Sequence, residues 1–357
     1  MLKRSSTYAN EYNRYIGKKW LVLVILVGVT FAAVIIALSV GSSGLPLPEI
    51  LRILFGGGEA SGRTIIWNVR MPRIATGVGV GIALAIAGCI MQNVLRNPLA
   101  SASTLGVSQG ASFGAAFAII YMQAGVQVSN ASTNAITFTN PYTVVICAFV
   151  GGISTTVLIL FLSRVSGVTP SVMVLAGVAV SSMFTGATTL MQYFSDDNKV
   201  ASVVYWTFGN LGRAGWREIS LIYALSVAAF VYFILNRWNY NAMESGTNTA
   251  KSLGVNVDAL ILTSMSVATL ISAVAVAFVG TITFIGLIAP HIVRKFVGND
   301  YRFLIPCSAL MGAIVMLGAD IASRTIASPA ILPIGAITSF LGAPLFLYTI
   351  IKKGNIK

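Results

Sequence analysis

The chain has 357 residues, 56% of them hydrophobic and only 9% charged, against roughly 25% charged in an ordinary soluble domain. A mean hydropathy of +0.84, spread along the whole length, excludes both a water-soluble globule and a soluble domain on a single anchor. The net charge of +13 comes from 23 Lys and Arg standing singly or in small groups between apolar runs, a pattern of membrane topology and not of a nucleic-acid surface.

From the N-terminus, Lys3, Arg4, Arg14, Lys18 and Lys19 form a basic tail, residues 1–19, before an apolar run from Trp20 to Val40. The run mimics a signal peptide but is too long for an h-region, and Gly44-Leu45-Pro46 follows where a cleavage site would stand, so it is expected to remain as the first helix. A helix needs about 20 apolar residues to cross the hydrocarbon. Charges, Pro and Gly mark off such stretches near 20–41, 73–95, 105–123, 142–164, 170–193, 217–236, 258–280, 282–297, 303–323 and 334–352. The expected fold is therefore all-α and integral to the membrane, with about ten transmembrane helices in one polytopic domain over 20–353 and a short tail at 354–357.

An even number of crossings puts both termini on one side. With the N-terminus inside, 15 of the 23 basic residues flank cytoplasmic ends, which favours N-in, C-in. The longer external segments are then Gly41–Arg70, Ala124–Pro141 and Ser195–Trp216, the third expected to carry a short interfacial helix. Inside, the one loop with content is Asn236–Val257, where Ala250-Lys251-Ser252-Leu253-Gly254 can form a short helix capped by Gly254.

The chemistry available is limited. No G-x-x-x-x-G-K-[ST] string occurs, so ATP cannot be cradled by a P-loop in this chain. Cys89, Cys147 and Cys307 lie in apolar segments without metal-ligand spacing and read as packing residues. Mid-membrane ionisable groups reduce to His291 and Asp320. Arg324, one turn beyond Asp320, makes a local ion pair the simpler explanation over a proton relay. A lone histidine is a structural residue before it is a metal ligand. Gly106, Gly110 and Gly114 at four-residue spacing, like Gly77, Gly81 and Ala85, permit close helix contact, either in plain bundle packing or along a pathway. Pro290 should kink its helix between Gly286 and Pro290. Arg70, Arg73 and Arg324 face the outside, where they can snorkel or meet acidic groups of an extracytoplasmic partner. Ser181, Ser182 and Thr185 supply hydroxyls without charge, suited to a low-affinity lining or to helix packing.

Four strings stand together: Arg70-Met71-Pro72-Arg73 through Gly81, Gly88 and Gln92; Arg96-Asn97-Pro98-Leu99-Ala100 with Leu105-Gly106-Val107; Phe284 through Pro290-His291 and Arg294 to Asp320 and Arg324; and Leu332-Pro333-Ile334-Gly335 with Gly342-Ala343-Pro344. In that order and spacing the chain resembles the FecCD-type permeases of ABC importers, which take up iron-siderophores, haem or cobalamin through a type II importer fold. The resemblance implies a non-enzymatic permease subunit in the cell (inner or cytoplasmic) membrane, paired with a second permease copy. It implies two cytoplasmic ATPase subunits, which hold the ATP and Mg that this chain does not bind, and an external solute-binding protein. It implies docking of that protein at Arg70, Arg73 and Arg324, and coupling through Ala250, Lys251, Leu253 and Gly254. It also implies a gate near Asn97 and Leu99, with Ser181, Ser182 and Thr185 along the pathway. Ile331 departs from the family, where Glu often precedes Leu-Pro-Ile-Gly, so no functional charge is expected there. The rival readings are a secondary transporter driven by an ion gradient and a non-transporting scaffold or receptor subunit.

Overall fold

The computed structural model describes residues 2–41, 46–127, 137–138, 140–166, 170–328 and 330–354. In chain order the helices are α1 (Leu2–Ser39), α2 (Leu47–Leu54), α3 (Ala60–Thr64), which runs through a π turn, Ile65–Arg70, into α4 (Met71–Val94), α5 (Val107–Ile120), α6 (Pro141–Ser166) and α7 (Pro170–Tyr193). They continue as α8 (Asp197–Thr207), α9 (Trp216–Leu235), α10 (Arg237–Glu244), α11 (Thr247–Ser252), α12 (Val257–Val279), α13 (Ile285–Val297), α14 (Tyr301–Thr325) and α15 (Ile334–Gly354). Among the described residues, one two-residue antiparallel pairing, β1 (Val126–Gln127) with β2 (Thr137–Phe138), interrupts the helices.

Each of the ten expected stretches holds one helix, though α5 and α13 are only 14 and 13 residues long. Among the described residues, seven helices are long and apolar enough to cross a membrane, while α5 and the apolar part of α15 are shorter. Residues 355–357 of the expected tail, and part of the segment 124–141, lie outside the described residues. The first helix begins well before Trp20, at Leu2, so the basic tail is helical from Leu2 onward.

The centre of the bundle is α4, packed on α14, α12, α13 and α9, with nearly every residue from Gly79 to Val94 buried. Small residues make this possible, because without a hydrophobic drive between helices close backbone approach supplies the packing. A methyl group on Gly88 would overlap the Gly286 carbonyl of α13, and one on Gly110 the Gly151 carbonyl of α6. Thus Gly110 and Gly114 do serve helix contact, through α6. Gly106 does not share their face: it caps the start of α5 with a φ of 88° and packs on Ser181. Its left-handed backbone is also why α5 begins at Val107.

Pro290 sits inside α13 and leaves the Gly286 carbonyl without its helical donor. Gln92 of α4 aims Nε2 at the Gly286 and Leu287 carbonyls, 3.4 Å from each, while its Oε1 accepts from Arg294. The freed backbone is therefore covered by protein, the condition for a broken helix at membrane depth. Before α13 the chain is non-helical over 280–284 and is held on both sides: Asn210 N donates to the carbonyl of Val279, the last residue of α12, at 2.7 Å, and Thr283 Oγ1 meets Ser339 Oγ of α15 at 2.7 Å.

The expected interfacial helix is α8. It does not lie free on a surface, because Val203 and Trp206 are buried in a cluster with Ala115, Ala116 and Ile119 of α5.

Candidate functional site: two charged ends and a hydroxyl face

The end of the bundle that carries α8 gathers the three arginines named above. Arg73 Nε donates to Asp320 Oδ1 at 2.7 Å, and Arg324 Nη2 lies 2.9 Å from Asp320 Oδ2 as an ion pair. Asp320 is fully buried, and the side chains of Arg73 and Arg324 are 11% and 9% exposed. The local Asp320–Arg324 pair expected from their spacing is present, joined by a third member on α4, 247 residues away. Arg324 also donates to Val40 O at 2.6 Å and Ala37 O at 3.1 Å, and Arg70 donates to Leu38 O. These carbonyls end α1, so two cations cap the negative end of that helix. Three outward arginines read one by one from the sequence are, in the fold, one cluster around a single carboxylate and a helix terminus. Nothing local predicts that geometry, since Asp320 has an obvious partner only at Arg324.

The opposite end carries α10 and α11. The sequence locates α11 but not α10, where Tyr240 and Met243 are buried. Thr247–Ser252 closes with a Schellman pattern: Val255 N donates to Ala250 O at 3.0 Å and Gly254 N to Lys251 O at 3.0 Å. Gly254 takes a φ of 87°, which only glycine adopts freely, and this turns the chain so that Leu253 projects outward, 68% exposed. Ala250 is wholly buried and anchors the helix, and Lys251 is exposed beside it.

Around this platform the polar residues are tightly engaged. Glu244 accepts from Asn93 Nδ2 at 3.4 Å and from Asn299 Nδ2 at 2.5 Å. Asp300 caps α14 and holds Arg302 by two atoms, with Nη2 to Oδ2 at 2.7 Å. Lys19 of α1, 3% exposed, lies 3.6 Å from Asp300 and 4.3 Å from the Tyr15 ring centroid. Partial burial pushes the Asp300 carboxyl up. Hydrogen bonds from the Arg302 side chain and backbone, with the charges of Arg302 and Lys19, outweigh it and hold the group below its ordinary value. Sequence reading treated Lys19 only as a flanking charge, and its single available signal was the Asp300 N-cap ahead of an apolar run.

Asn97 and Leu99 lie in the turn between α4 and α5. Leu99 N donates to Asn97 Oδ1 at 2.9 Å, and Arg96 just before takes a φ of 47°. The same loop ends at Gly106, which touches Ser181 of α7, so the turn region and the hydroxyl-bearing helix are adjacent. Ser181, Ser182 and Thr185 each donate to the carbonyl four residues back, at 2.6, 3.0 and 2.9 Å. Their hydrogen bonding is thus satisfied within α7. Ser182, Thr185 and Thr189 are exposed among Val178, Met183 and Leu190, a mixed face with no charge. Cys89 and Cys307 are buried and Cys147 half-buried, all free thiols, and among the described residues no group of three His, Cys, Asp or Glu could hold a metal.

The model of the FecCD transport family matches residues 29–352. A "Putative ABC transporter permease protein" of Methanocaldococcus jannaschii is 50% identical over 96% of this chain and 97% of its own length. The Fe(3+)-citrate import system permease protein of Bacillus subtilis is 31% identical over 90% of this chain and 91% of its own. A solved chain described as an inward-facing conformation of "a putative metal-chelate type ABC transporter" superposes with a TM-score of 0.80 at 29% identity, over 92% of this chain and 98% of that one. The likeness seen in four sequence strings extends over the fold: this chain is a multi-pass membrane protein and belongs to the FecCD transport family.

Proposed function

We propose that the chain is the permease subunit of an ATP-driven importer that moves an iron-siderophore, haem or cobalamin-type metal chelate into the cytoplasm. The observation that carries this reading is α11: a capped, anchored helix that offers one exposed leucine, in a member of a transport family and in a chain without a P-loop. Such a knob suits insertion into a groove on a separate ATPase, where shape and apolar burial supply the contact. Two ATPase subunits would carry ATP and Mg, and their closure would push on the α10–α11 platform. That push would tilt helices fused to it and alternate access between the two faces.

In this reading ten helices cross the cytoplasmic membrane with both termini inside, and the α8 end is external. A solute-binding protein docks there with acidic groups toward Arg70, Arg73 and Arg324. Those cations are already engaged by Asp320 and the α1 carbonyls, so docking exchanges main-chain carbonyls for a partner's carboxylates and needs no unpaired charge at rest. The uncharged face of α7, with Ser181, Ser182 and Thr185, and the Asn97–Leu99 turn line a pathway completed by a second permease copy. An ion-gradient carrier fits less well, because Asp320 is held by two arginines and offers no open coupling site.

The test is reconstitution with the cognate ATPase and binding protein. Leu253→Glu should abolish uptake and binding-protein-stimulated ATP hydrolysis while the permease still assembles. Normal uptake by that variant, or uptake by the chain alone without nucleotide, would overturn the proposal.

A further inference from the structure

At the α11 end, a groove of about 480 Å³ opens between α1, α9 and α14. Its walls are apolar, from Ile16 and Leu23 on α1, Ile234 on α9 and Pro306 on α14, with Trp20 and Phe303 meeting edge to face at 5.7 Å along one side. Its mouth is cationic. Arg237 and Arg302 both line it, and their guanidinium carbons lie 5.7 and 5.3 Å from the centroid of the same Trp238 ring.

The two arginines differ in what already offsets them. Arg302 is held in a bidentate grip by Asp300. Arg237 donates to the Ile234 carbonyl at 3.0 Å and, among the described residues, forms no ion pair with a carboxylate. The mouth therefore keeps a net positive charge above an apolar slot. Trp20 and Trp238, 55% and 57% exposed, mark the depth at which indoles sit between headgroups and chains.

A second groove of about 500 Å³, between α6, α9 and α12, gives the contrast. It is equally apolar, but Arg217 at its rim stands beside Glu218, which accepts from Tyr142 Oη at 3.1 Å. Charge at that rim is balanced within the protein.

We propose that the groove between α1, α9 and α14 binds an anionic phospholipid. The phosphate lies between Arg237 and Arg302, where guanidinium forks match its oxygens, and an acyl chain lies along Ile16, Leu23 and Ile234. The inference rests on the membrane placement of these helices and not on the substrate transported. In the orientation proposed above it places the lipid in the inner leaflet, pinning α1 to the platform that receives the ATPase.

Native mass spectrometry of the full permease, equilibrated in detergent with equal phosphatidylglycerol and phosphatidylcholine, tests it without any transport assay. Retained phosphatidylglycerol should exceed phosphatidylcholine by about fivefold or more, the weight of one uncompensated arginine at a membrane surface. Arg237→Gln should bring the ratio close to one, Arg237→Lys should keep most of the preference, and Arg217→Gln should leave it unchanged. Inorganic phosphate at millimolar concentration should not displace the lipid, because it lacks a chain to fill the slot. Equal retention of the two lipids by the unaltered protein, a preference that survives Arg237→Gln, or displacement by phosphate alone would each overturn the proposal.

Discussion

The two ends of this bundle meet their surroundings by opposite means. At the α8 end, charge is concentrated and buried: Arg73 and Arg324 converge on Asp320, and Arg70 and Arg324 cap α1. At the α11 end, the presented group is one exposed leucine held by a helix cap, with Arg302 and Lys19 behind it paired to Asp300. The first arrangement stores its chemistry in the fold, so disturbing it costs stability. The second separates function from stability, so it can be altered with the fold intact.

The sharpest way to break this contrast is Asp320→Ala. It leaves two buried guanidiniums without their counter-ion, and removal of one partner of a buried pair costs about 3–5 kcal/mol. Thermal unfolding of the detergent-solubilised protein should show a large loss, with Arg73→Ala intermediate. An unfolding temperature unchanged by Asp320→Ala would mean that the cluster is hydrated and weak. Gly88→Ala should be next, because its methyl group collides with the Gly286 backbone at the α4–α13 contact. Overpacking of this kind costs about 1–3 kcal/mol. The same measurement checks it, against Gly318→Ala as a control where a methyl meets nothing.

At the other end the expected order reverses. Leu253→Glu should move stability by no more than about 0.5 kcal/mol, as exposed substitutions do, while coupled ATP hydrolysis is lost. Gly254→Ala should weaken the α11 turn by about 1–2 kcal/mol, the cost of a left-handed backbone for a residue with a Cβ. Its uptake should fall less than that of Leu253→Glu, because the leucine remains. Equal unfolding losses from Leu253→Glu and Asp320→Ala would erase the distinction between the ends.

What could be read from the sequence follows from range. Apolar runs punctuated by charge, Gly and Pro located the seven helices that, among the described residues, are long and apolar enough to cross a membrane, and Gly254 after Leu253 located the cap of α11, since both signals are carried by neighbours in the chain. The Asp320–Arg324 pair was legible for the same reason. Arg73 joining it was not, because α4 and α14 meet through glycine contacts that a helical period does not specify. Neither was Lys19 beside Asp300, nor Gln92 covering the carbonyl that Pro290 frees. In each case a polar group finds its partner across the bundle, and the sequence shows only that it needs one.

The smallest effect expected is a pH dependence at the α11 end. Asp300 has its folded pKa below the ordinary carboxylate value of 3.8, with burial opposing and Arg302 and Lys19 favouring the charged form. A depressed carboxylate contributes stability that is fully present above the unfolded pKa and lost as pH falls through the folded one. The protein should therefore hold the Asp300 contribution from neutral pH down to about pH 4, in line with the unperturbed carboxylate, and lose it below. In Arg302→Gln the main opposing interaction is gone while burial remains, so the folded pKa rises toward the unfolded one, the contribution held at neutral pH shrinks, and less stability is lost as pH falls. Acid unfolding curves of the two proteins should separate in that direction and merge at the lowest pH, where both carry a neutral Asp300. Parallel curves would show that Lys19 alone sets the charge state. That result would make α1, and not the Arg302 fork, the element that ties this end of the bundle together.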